Sequence, residues 1–460
     1  MSVKISDNDR IPIITKAFKV RLYPTTKQLH EILEYCSANR FAYNKRKEER
    51  DNFYNENIKD KNLTKEQNKE VYKTLELTTQ KEFCEQFAWL KKVPSSLIAY
   101  SLRNNDTVYS QYYKSLAGLR KGKKLGHPKW KSRKQNHQSF TVGMLSKDCL
   151  EWNNRTIKIP KLGKVKFHHA EDKSEKWIRF FLTATPKVMT VSTEPSGEVW
   201  CSITFEKETS IEQTIKPSIA IGLDFSPEHL YVDSNNEVAP NYIAVKQKNK
   251  KREKKLQRQL VRKKKGSVHY KRVRAKYAKF EQFIADCRND YLHKETLRLV
   301  QNYDVIGIED LNLQGMMKFS HNAKNYLDAS WGNFVQKLEW KAQFNDCVII
   351  KADRFYPSSK TCNHCGYIKK DLKLSDRVWT CPNCGETIIR DANAGQNLRD
   401  NAIDTLIGSI DKSILPSVRG EVMPVEDMEV YIVNNFIYGV SVETKTHQNI
   451  SSDVWKPLNL

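Results

Sequence analysis

Residues 356–398 read YPSSKTCNHCGYIKKDLKLSDRVWTCPNCGETIIRDANAGQNL, and this stretch decides the architecture. It carries two C-x-x-C pairs, Cys362/Cys365 and Cys381/Cys384, with fifteen residues between them. Four thiolates at this spacing suit a tetrahedral Zn²⁺ site. A glycine follows each pair (Gly366, Gly385), where a tight knuckle turn favours a residue without a Cβ. Four thiolates leave no open coordination position, so the zinc is expected to be structural. His364 lies inside the first pair and is expected to be exposed rather than a ligand. The other six cysteines are scattered singly, as small buried hydrophobes of a reducing compartment are. Directly after the second pair comes RDANAGQNL, helical in pattern, with Asp391 near its start.

Upstream lie short apolar runs that end on acids. SIAIGLDF (218–225) reads as a buried strand with Ile219, Ile221 and Leu223 on one face and Asp224 at its end. YDVIGIED (303–310) reads the same way and ends on Glu309, and CVIIKAD (347–353) is a third buried strand. HLYVDSNNE (229–237) and NYIAV (241–245) read as a strand–turn–strand meander. A meander followed by strands alternating with helices is the layout of an RNase H-like α/β domain. Carboxylates from separate elements are what two-metal phosphodiester chemistry needs, with two Mg²⁺ ions ~3.5–4 Å apart. Taken singly, each acid also has an ordinary structural reading. Asp224 and Glu309 could be turn or cap residues, and Asp391 a helix N-terminal acid favoured by the macrodipole. Asp310 points to the face opposite Glu309 if the strand is regular, and Asp304 and Asp353 read as structural.

The N-terminal half has a different grain. AFKVRLYP (17–24) alternates as a half-buried strand, and Thr25 with Gln28 forms a capping-box pattern. Leu29, Ile32, Leu33 and Cys36 then follow helical spacing. Residues 139–206 hold the β-rich runs SFTVGML, RTIKIP, GKVKFHH, KVMTVST and VWCSITFE, which read as an antiparallel barrel or small sheet. If the first strand pairs there, the helical block is an insertion. The expected organisation is multidomain α+β. Residues 1–25 supply the first barrel strand, 26–138 the helical block, 139–215 the rest of the barrel and 216–356 the nuclease-like domain with a basic helical region at 246–300. The zinc ribbon is 357–388, the last segment of that domain 389–408, and 409–460 an acidic, loose tail with seven acids and four bases.

Charge narrows the partner. The 460 residues carry 78 Lys+Arg against 54 Asp+Glu, a net charge of +24, with a pI near 9.4. A core is affordable at 39% hydrophobic residues, and the excess charge points to a polyanion. A mean hydropathy of −0.67 and the lack of an apolar run of ~18 residues argue against a membrane. The opening MSVKISDNDRIP has no apolar core and does not read as a signal peptide. Residues 107–146 hold nine basic residues and no acid, while 246–280 hold seventeen with only Glu253 opposing. Lys121, Lys124, Lys129, Trp130 and Lys131 are the nucleic-acid candidates of the first stretch. Arg252, Lys255, Arg258, Arg262, Lys264, Arg272 and Arg274 are those of the second. A helix so charged, with Leu256, Leu260 and Val261 as its thin apolar stripe, repels itself unless a polyanion neutralises it. Such contacts go to the backbone and fix register.

GLDFS, IGIEDLNL and YPSSKTCNHCGY…DRVWTCPNCG…RDANAGQNL, together with KVRLYPT and GHPKWKSR, resemble the TnpB (OrfB) family of transposon-encoded RNA-guided nucleases, which is related to the type V CRISPR effectors. The resemblance runs from residue 16 to about 408. It implies that Asp224, Glu309 and Asp391 are the Mg²⁺-binding carboxylates of a RuvC-type site. It implies that the four cysteines hold zinc in an inserted ribbon and that Arg377 reaches the scissile phosphate. The β-rich region becomes a wedge domain and the helical block a recognition domain. A guide RNA from the element's end would direct cutting of double-stranded target DNA beside a short adjacent motif. The particle would be a monomeric ribonucleoprotein in the cytoplasm of a prokaryote, associated with the nucleoid. Two other readings stand beside this one: a nuclease-silent RNA-guided repressor, whose relatives have lost the carboxylates, and a compact type V CRISPR effector. A strand-transfer transposase could share the acids, but the ribbon before Asp391 fits it less well.

Overall fold

The computed structural model describes residues 13–59, 61–120, 122–134, 137–143, 145–168, 180–208, 212–239, 243–319, 330–373, 375–410, 417–418, 421–422, 425, 428–433, 436–442 and 456–457. The chain gathers into two compact units, residues 1–209 and 210–460.

In the first unit, β1 (Ile13–Tyr23) buries Phe18, Val20 and Leu22. Thr25 and Gln28 make the reciprocal capping box that starts α1 (Thr26–Asn57). Ile32 and Cys36 are buried as their spacing predicts, whereas Leu33 is exposed. Helices α2 (Lys65–Lys73), α3 (Gln80–Gln86) and α4 (Ser95–Leu116) follow. Six strands come next: β2 (Gln138–Gly143), β3 (Leu150–Glu151), β4 (Thr156–Ile159), β5 (Gly163–His168), β6 (Thr185–Thr193) and β7 (Val199–Glu208). The seven strands form one antiparallel sheet in the order β2-β6-β7-β1-β5-β4-β3. β1 lies inside that sheet between β7 and β5, so the helices are inserted between one strand and its neighbours. Among the described residues the sheet does not close into a barrel. Its edges are β2 and the two-residue β3, which is too short to offer a full ladder. The buried faces of α1 and α4 share one core with the sheet.

The second unit is built on a four-stranded sheet ordered β10-β9-β11-β12, with β9 (Ala220–Ser226), β10 (Leu230–Asp233), β11 (Val305–Glu309) and β12 (Val348–Ala352). β9, β11 and β12 run parallel and β10 is antiparallel. Side chains alternate across such a sheet. One face presents Ile221, Leu223, Ile306 and Ile308 to a core shared with α6 (Val268–Asn302) and α8 (Trp331–Ala342). The other face carries Gly222, Asp224, Gly307 and Glu309, and α9 (Arg390–Gly408) lies directly on it. The approach is backbone to backbone. A Cβ on Gly222 would stand 1.9 Å from the Gly395 carbonyl oxygen, and one on Gly307 2.1 Å from that of Leu398. Only glycine permits this contact.

Between β10 and β11 the chain forms a helical hairpin of α5 (Ile243–Val261) and α6. The NYIAV segment was expected to be a strand. Ile243–Val245 instead open α5, and residues 241–242 lie outside the described residues. Three apolar residues cannot hold a strand when a long run rich in Lys, Gln and Arg helix formers follows. Helix α7 (Leu313–Phe319) precedes α8, and the ribbon hairpin β13 (Val378–Thr380) and β14 (Thr387–Ile389) precedes α9. Two further expectations are corrected after α9. The chain makes a short hairpin β15–β16 (Ser417–Val418, Glu421–Val422), then β17 (Met428–Val433), β18 (Phe436–Val442) and β19 (Lys456–Pro457). β8 (Glu212–Ile215), assigned above to the barrel, pairs with β17 in a sheet ordered β19-β18-β17-β8. Met428, Val430 and Ile432 alternate into a core with Ile215, Ala402 and Leu406, so this part of the tail is packed, not loose. Its acids masked a period-two apolar pattern.

Candidate active site

The glycine contacts set where the acids fall. Gly222 and Gly307 are paired across β9 and β11, and Asp224 and Glu309 each lie two residues further along the same face. Above them α9 crosses the two strands, with Gly395 near Gly222 and Leu398 near Gly307. One turn back towards its N-terminus is Asp391, near enough for its charge to act on Asp224. Asp224 is 8% exposed, and Glu309 and Asp391 are half-buried.

The electrostatics follow from this crowding. Burial drives the Asp224 carboxyl well above the usual carboxylate range. The charges of Glu309 and Asp391 push it further, and Arg390 and Arg377 oppose them. Burial also raises Glu309, opposed by a hydrogen bond from Ser358 and by the Arg390 charge. Ser358 Oγ donates to Glu309 Oε1 at 2.7 Å. Such a cluster of incompletely neutralised acids fits a divalent cation, whose charge would relieve the repulsion. Among the described residues these three carboxylates are not drawn into a ligand cluster as the four cysteines are.

Arg377 reaches the same place from the ribbon. It precedes β13, and the pairing of Val378 with Ile389 sets it beside Arg390, whose N–H donates to the Arg377 carbonyl at 2.9 Å. Its Nη1 donates to Asp391 Oδ2 at 3.0 Å and Oδ1 at 3.3 Å, and the side chain is exposed. The neighbouring acids are occupied elsewhere. Asp310 pairs with Arg354 at 2.5 Å, Asp304 accepts from the Lys216 N–H at 2.8 Å and Asp353 from the Phe355 N–H at 2.9 Å.

Among the described residues, the group of His, Cys, Asp or Glu placed to hold a metal is Cys362, Cys365, Cys381 and Cys384, with all ligand atoms within 4.8 Å. Cys362 Sγ and Cys384 Sγ are 3.7 Å apart, and Cys365 Sγ and Cys381 Sγ 3.6 Å. A tetrahedron with Zn–S bonds of ~2.3 Å has an edge of about 3.8 Å. The four sulfurs therefore fit Zn²⁺. Gly366 (φ +73°) and Gly385 (φ +76°) close matching knuckles, each N–H donating to the first cysteine carbonyl of its pair. His364 is exposed.

The basic candidates divide. Arg252, Lys255, Arg258, Arg262, Lys264, Arg272 and Arg274 are all exposed on the α5–α6 hairpin. Gln257 bonds Tyr277 at 3.1 Å and Arg252 covers the Phe280 ring, which holds the two helices together. Lys251, Lys254, Lys255, Arg258 and Arg262 line one groove on α5. In the first unit Lys124, Lys129 and Trp130 are exposed, and Lys121 lies outside the described residues. Lys131 is half-buried, with Nζ 4.1 Å from the centre of the Tyr43 ring, and its backbone is clasped by Asn44. Sequence reasoning missed Ser358 and Arg390. Ser358 stands 49 positions from its partner Glu309, and only the fold brings the two together.

A curated protein of Streptomyces pristinaespiralis, named "Putative RNA-guided DNA endonuclease", is 30% identical over 391 residues, 84% of this chain and 89% of its own. The chain belongs to the TnpB family. A second TnpB-like relative, "Putative RNA-guided DNA endonuclease InsQ" of Escherichia coli K12, is 28% identical over 83% of this chain and 91% of its own. Residues 202–320 match the family model described as "Probable transposase", 331–398 a "Cas12f1-like, TNB domain" and 14–59 a "Helix-turn-helix domain". The last region forms β1 and the 32-residue helix α1. A solved Cas12f1–sgRNA–target DNA complex is 12% identical with a TM-score of 0.43, covering 84% of this chain and 99% of that one. That likeness is too slight to carry weight.

Proposed function

We propose that this TnpB-family protein is a transposon-encoded, RNA-guided DNA endonuclease that hydrolyses phosphodiesters at a Mg²⁺ site formed by Asp224, Glu309 and Asp391. What supports the reading is that Asp224 and Glu309 end two adjacent parallel strands, that the charges of Glu309 and Asp391 both act on the buried Asp224 carboxyl, and that Arg377 bonds Asp391. The four-stranded sheet with α9 is then the RNase H-like, RuvC-type domain, and 357–388 its zinc ribbon. The seven-stranded sheet is the wedge and α1–α4 the recognition insertion.

When bound, Mg²⁺ supplies Lewis-acid polarisation of the phosphate and an activated water nucleophile. The protein's own groups do the rest. Asp224, fixed on its strand and buried, holds a constant position under the substrate. Ser358 orients Glu309 by occupying one of its oxygens. Arg377, exposed and anchored by Asp391, can swing to a phosphate oxygen as negative charge develops there. The α5–α6 hairpin grips guide or heteroduplex backbone, while base pairing supplies sequence choice. The intact acid set weighs against a silent repressor.

The test is cleavage of a plasmid carrying the matched target, with Mg²⁺ and the cognate guide. Asp224→Ala, Glu309→Ala and Asp391→Ala each abolish cutting and keep guide and target binding. Robust cutting by Asp224→Ala would sink the assignment.

A further inference from the structure

Helix α9 carries Asn393, Asn397 and Asp400 at i, i+4 and i+7, one polar stripe on a helix whose opposite side rests on the sheet. Asn393 and Asn397 are each 4% exposed. Buried amides are costly unless bonded, and these are bonded to one neighbour only, the ribbon and its lead-in loop. Asn393 Nδ2 donates to the Thr361 carbonyl at 2.7 Å. Asn397 Nδ2 donates to the carbonyls of Ser358 and Thr361, both at 2.7 Å. The return contacts come from Asn363, the residue after zinc ligand Cys362. Its N–H donates to Asn393 Oδ1 at 2.9 Å, and its Nδ2 to Asn397 Oδ1 at 3.1 Å and Asp400 Oδ2 at 2.7 Å.

The run does not stop at the ribbon. Ser358, whose carbonyl accepts from Asn397, is the residue whose hydroxyl holds Glu309. Glu309 on β11, the helix bearing Asp391, and the first zinc knuckle are thus joined by one continuous set of hydrogen bonds. We infer that Ser358, Asn363, Asn393 and Asn397 are positioning residues through which zinc in the ribbon sets the divalent-cation affinity of the carboxylate cleft. This rests on the Mg²⁺ reading of Asp224, Glu309 and Asp391.

The physical link is short. The knuckle is closed by the Gly366 N–H to the Cys362 carbonyl at 2.8 Å and the Cys362 N–H to the Tyr367 carbonyl at 2.8 Å. Four thiolates hold that shape around a cation and repel one another without it. When the knuckle opens, Asn363 leaves α9, two buried amides lose their partners, and the loop carrying Ser358 slackens. The separation of Glu309 from Asp391 is then no longer fixed. Coupling between two binding sites is reciprocal, so a cation in the cleft must also retain zinc.

The experiment uses the full chain without guide and Mn²⁺ as a paramagnetic probe, read by electron spin resonance, with Asp224→Asn as the blank for cleft binding. Zinc per chain is measured alongside, and zinc release to a chromogenic chelator is timed with and without Mg²⁺. Ser358→Ala and Asn363→Ala weaken Asp224-dependent Mn²⁺ binding by roughly tenfold, within the usual range of coupling. Ser358→Thr, which keeps the hydroxyl, restores it. Mg²⁺ slows zinc release from the wild type and not from Asn363→Ala. If Asn363→Ala sheds its zinc, weakened Mn²⁺ binding still supports the link, and unchanged binding overturns it. Mn²⁺ affinity indifferent to Asn363 and Ser358 also overturns it, and leaves the cleft reading standing. A wild type with no Asp224-dependent Mn²⁺ signal overturns both.

Discussion

At the residue scale the cleft trades stability for chemistry. Asp224 is held at 8% exposure beside two further acids, an arrangement that is unfavourable until a cation arrives. Asp224→Asn keeps the shape and removes one buried charge. It is expected to raise the melting temperature of the zinc-loaded protein in Mg²⁺-free buffer by about 2–4 °C, the effect of ~1 kcal/mol in a unit of this size. The same variant loses the thermal shift that Mg²⁺ gives the wild type. Differential scanning fluorimetry reads both, and a lower melting temperature would contradict the account. Arg377 is expected to act on the phosphate, not on assembly. Arg377→Ala lowers single-turnover cleavage by about 10²-fold, Arg377→Lys by less, and neither changes target affinity in a filter-binding assay. The cysteine cluster was legible from its ligand spacing, and the candidate acids from the apolar runs that end on Asp224 and Glu309 and the helical pattern that Asp391 opens. Ser358 was not, since nothing in YPSSK states that its hydroxyl meets a strand end 49 residues away.

At the element scale the α5–α6 hairpin is the main electrostatic handle. Lys255 and Arg258 on α5 and Arg262 just past its end are exposed and line one groove. Changing all three to Gln is expected to flatten the slope of log affinity against log salt for guide RNA by roughly 2–3, one released counter-ion per lost contact. Fluorescence anisotropy over a salt series measures it, and an unchanged slope removes the hairpin from the interface. Elements were read correctly where one period dominated, as in β1, α1 and the buried strands β9, β11 and β12. They were misread where a local signal competed with its surroundings. Ile243–Val245 carry strand-like residues but join a helix, because a long run rich in helix formers follows them. Met428, Val430 and Ile432 alternate like any strand, but an average over the acidic tail hid them.

At the scale of the whole molecule, the net charge of +24 is spent unevenly across two compact units. Seventeen basic residues fall between 246 and 280, on the hairpin of the unit that also holds the three acids. Basic charge alone would suit any nucleic-acid binder. Acids set at the sheet's strand ends, beside a ribbon that holds their helix, suit a nuclease that is directed by something else. Composition could reveal the partner's charge and the order of motifs could reveal the family. Neither could reveal that glycines at 222 and 307 let α9 settle onto the sheet and bring the Asp391 charge to bear on Asp224, because that contact exists only in three dimensions. The central claim is that RNA chooses where these acids cut. Mapping the ends produced after the target-pairing segment of the guide is rewritten tests it most directly. The account predicts that the cut moves to the newly matched site, needs Mg²⁺, and disappears without RNA. Cleavage that stays at the old site, or proceeds equally well with no guide, would contradict it.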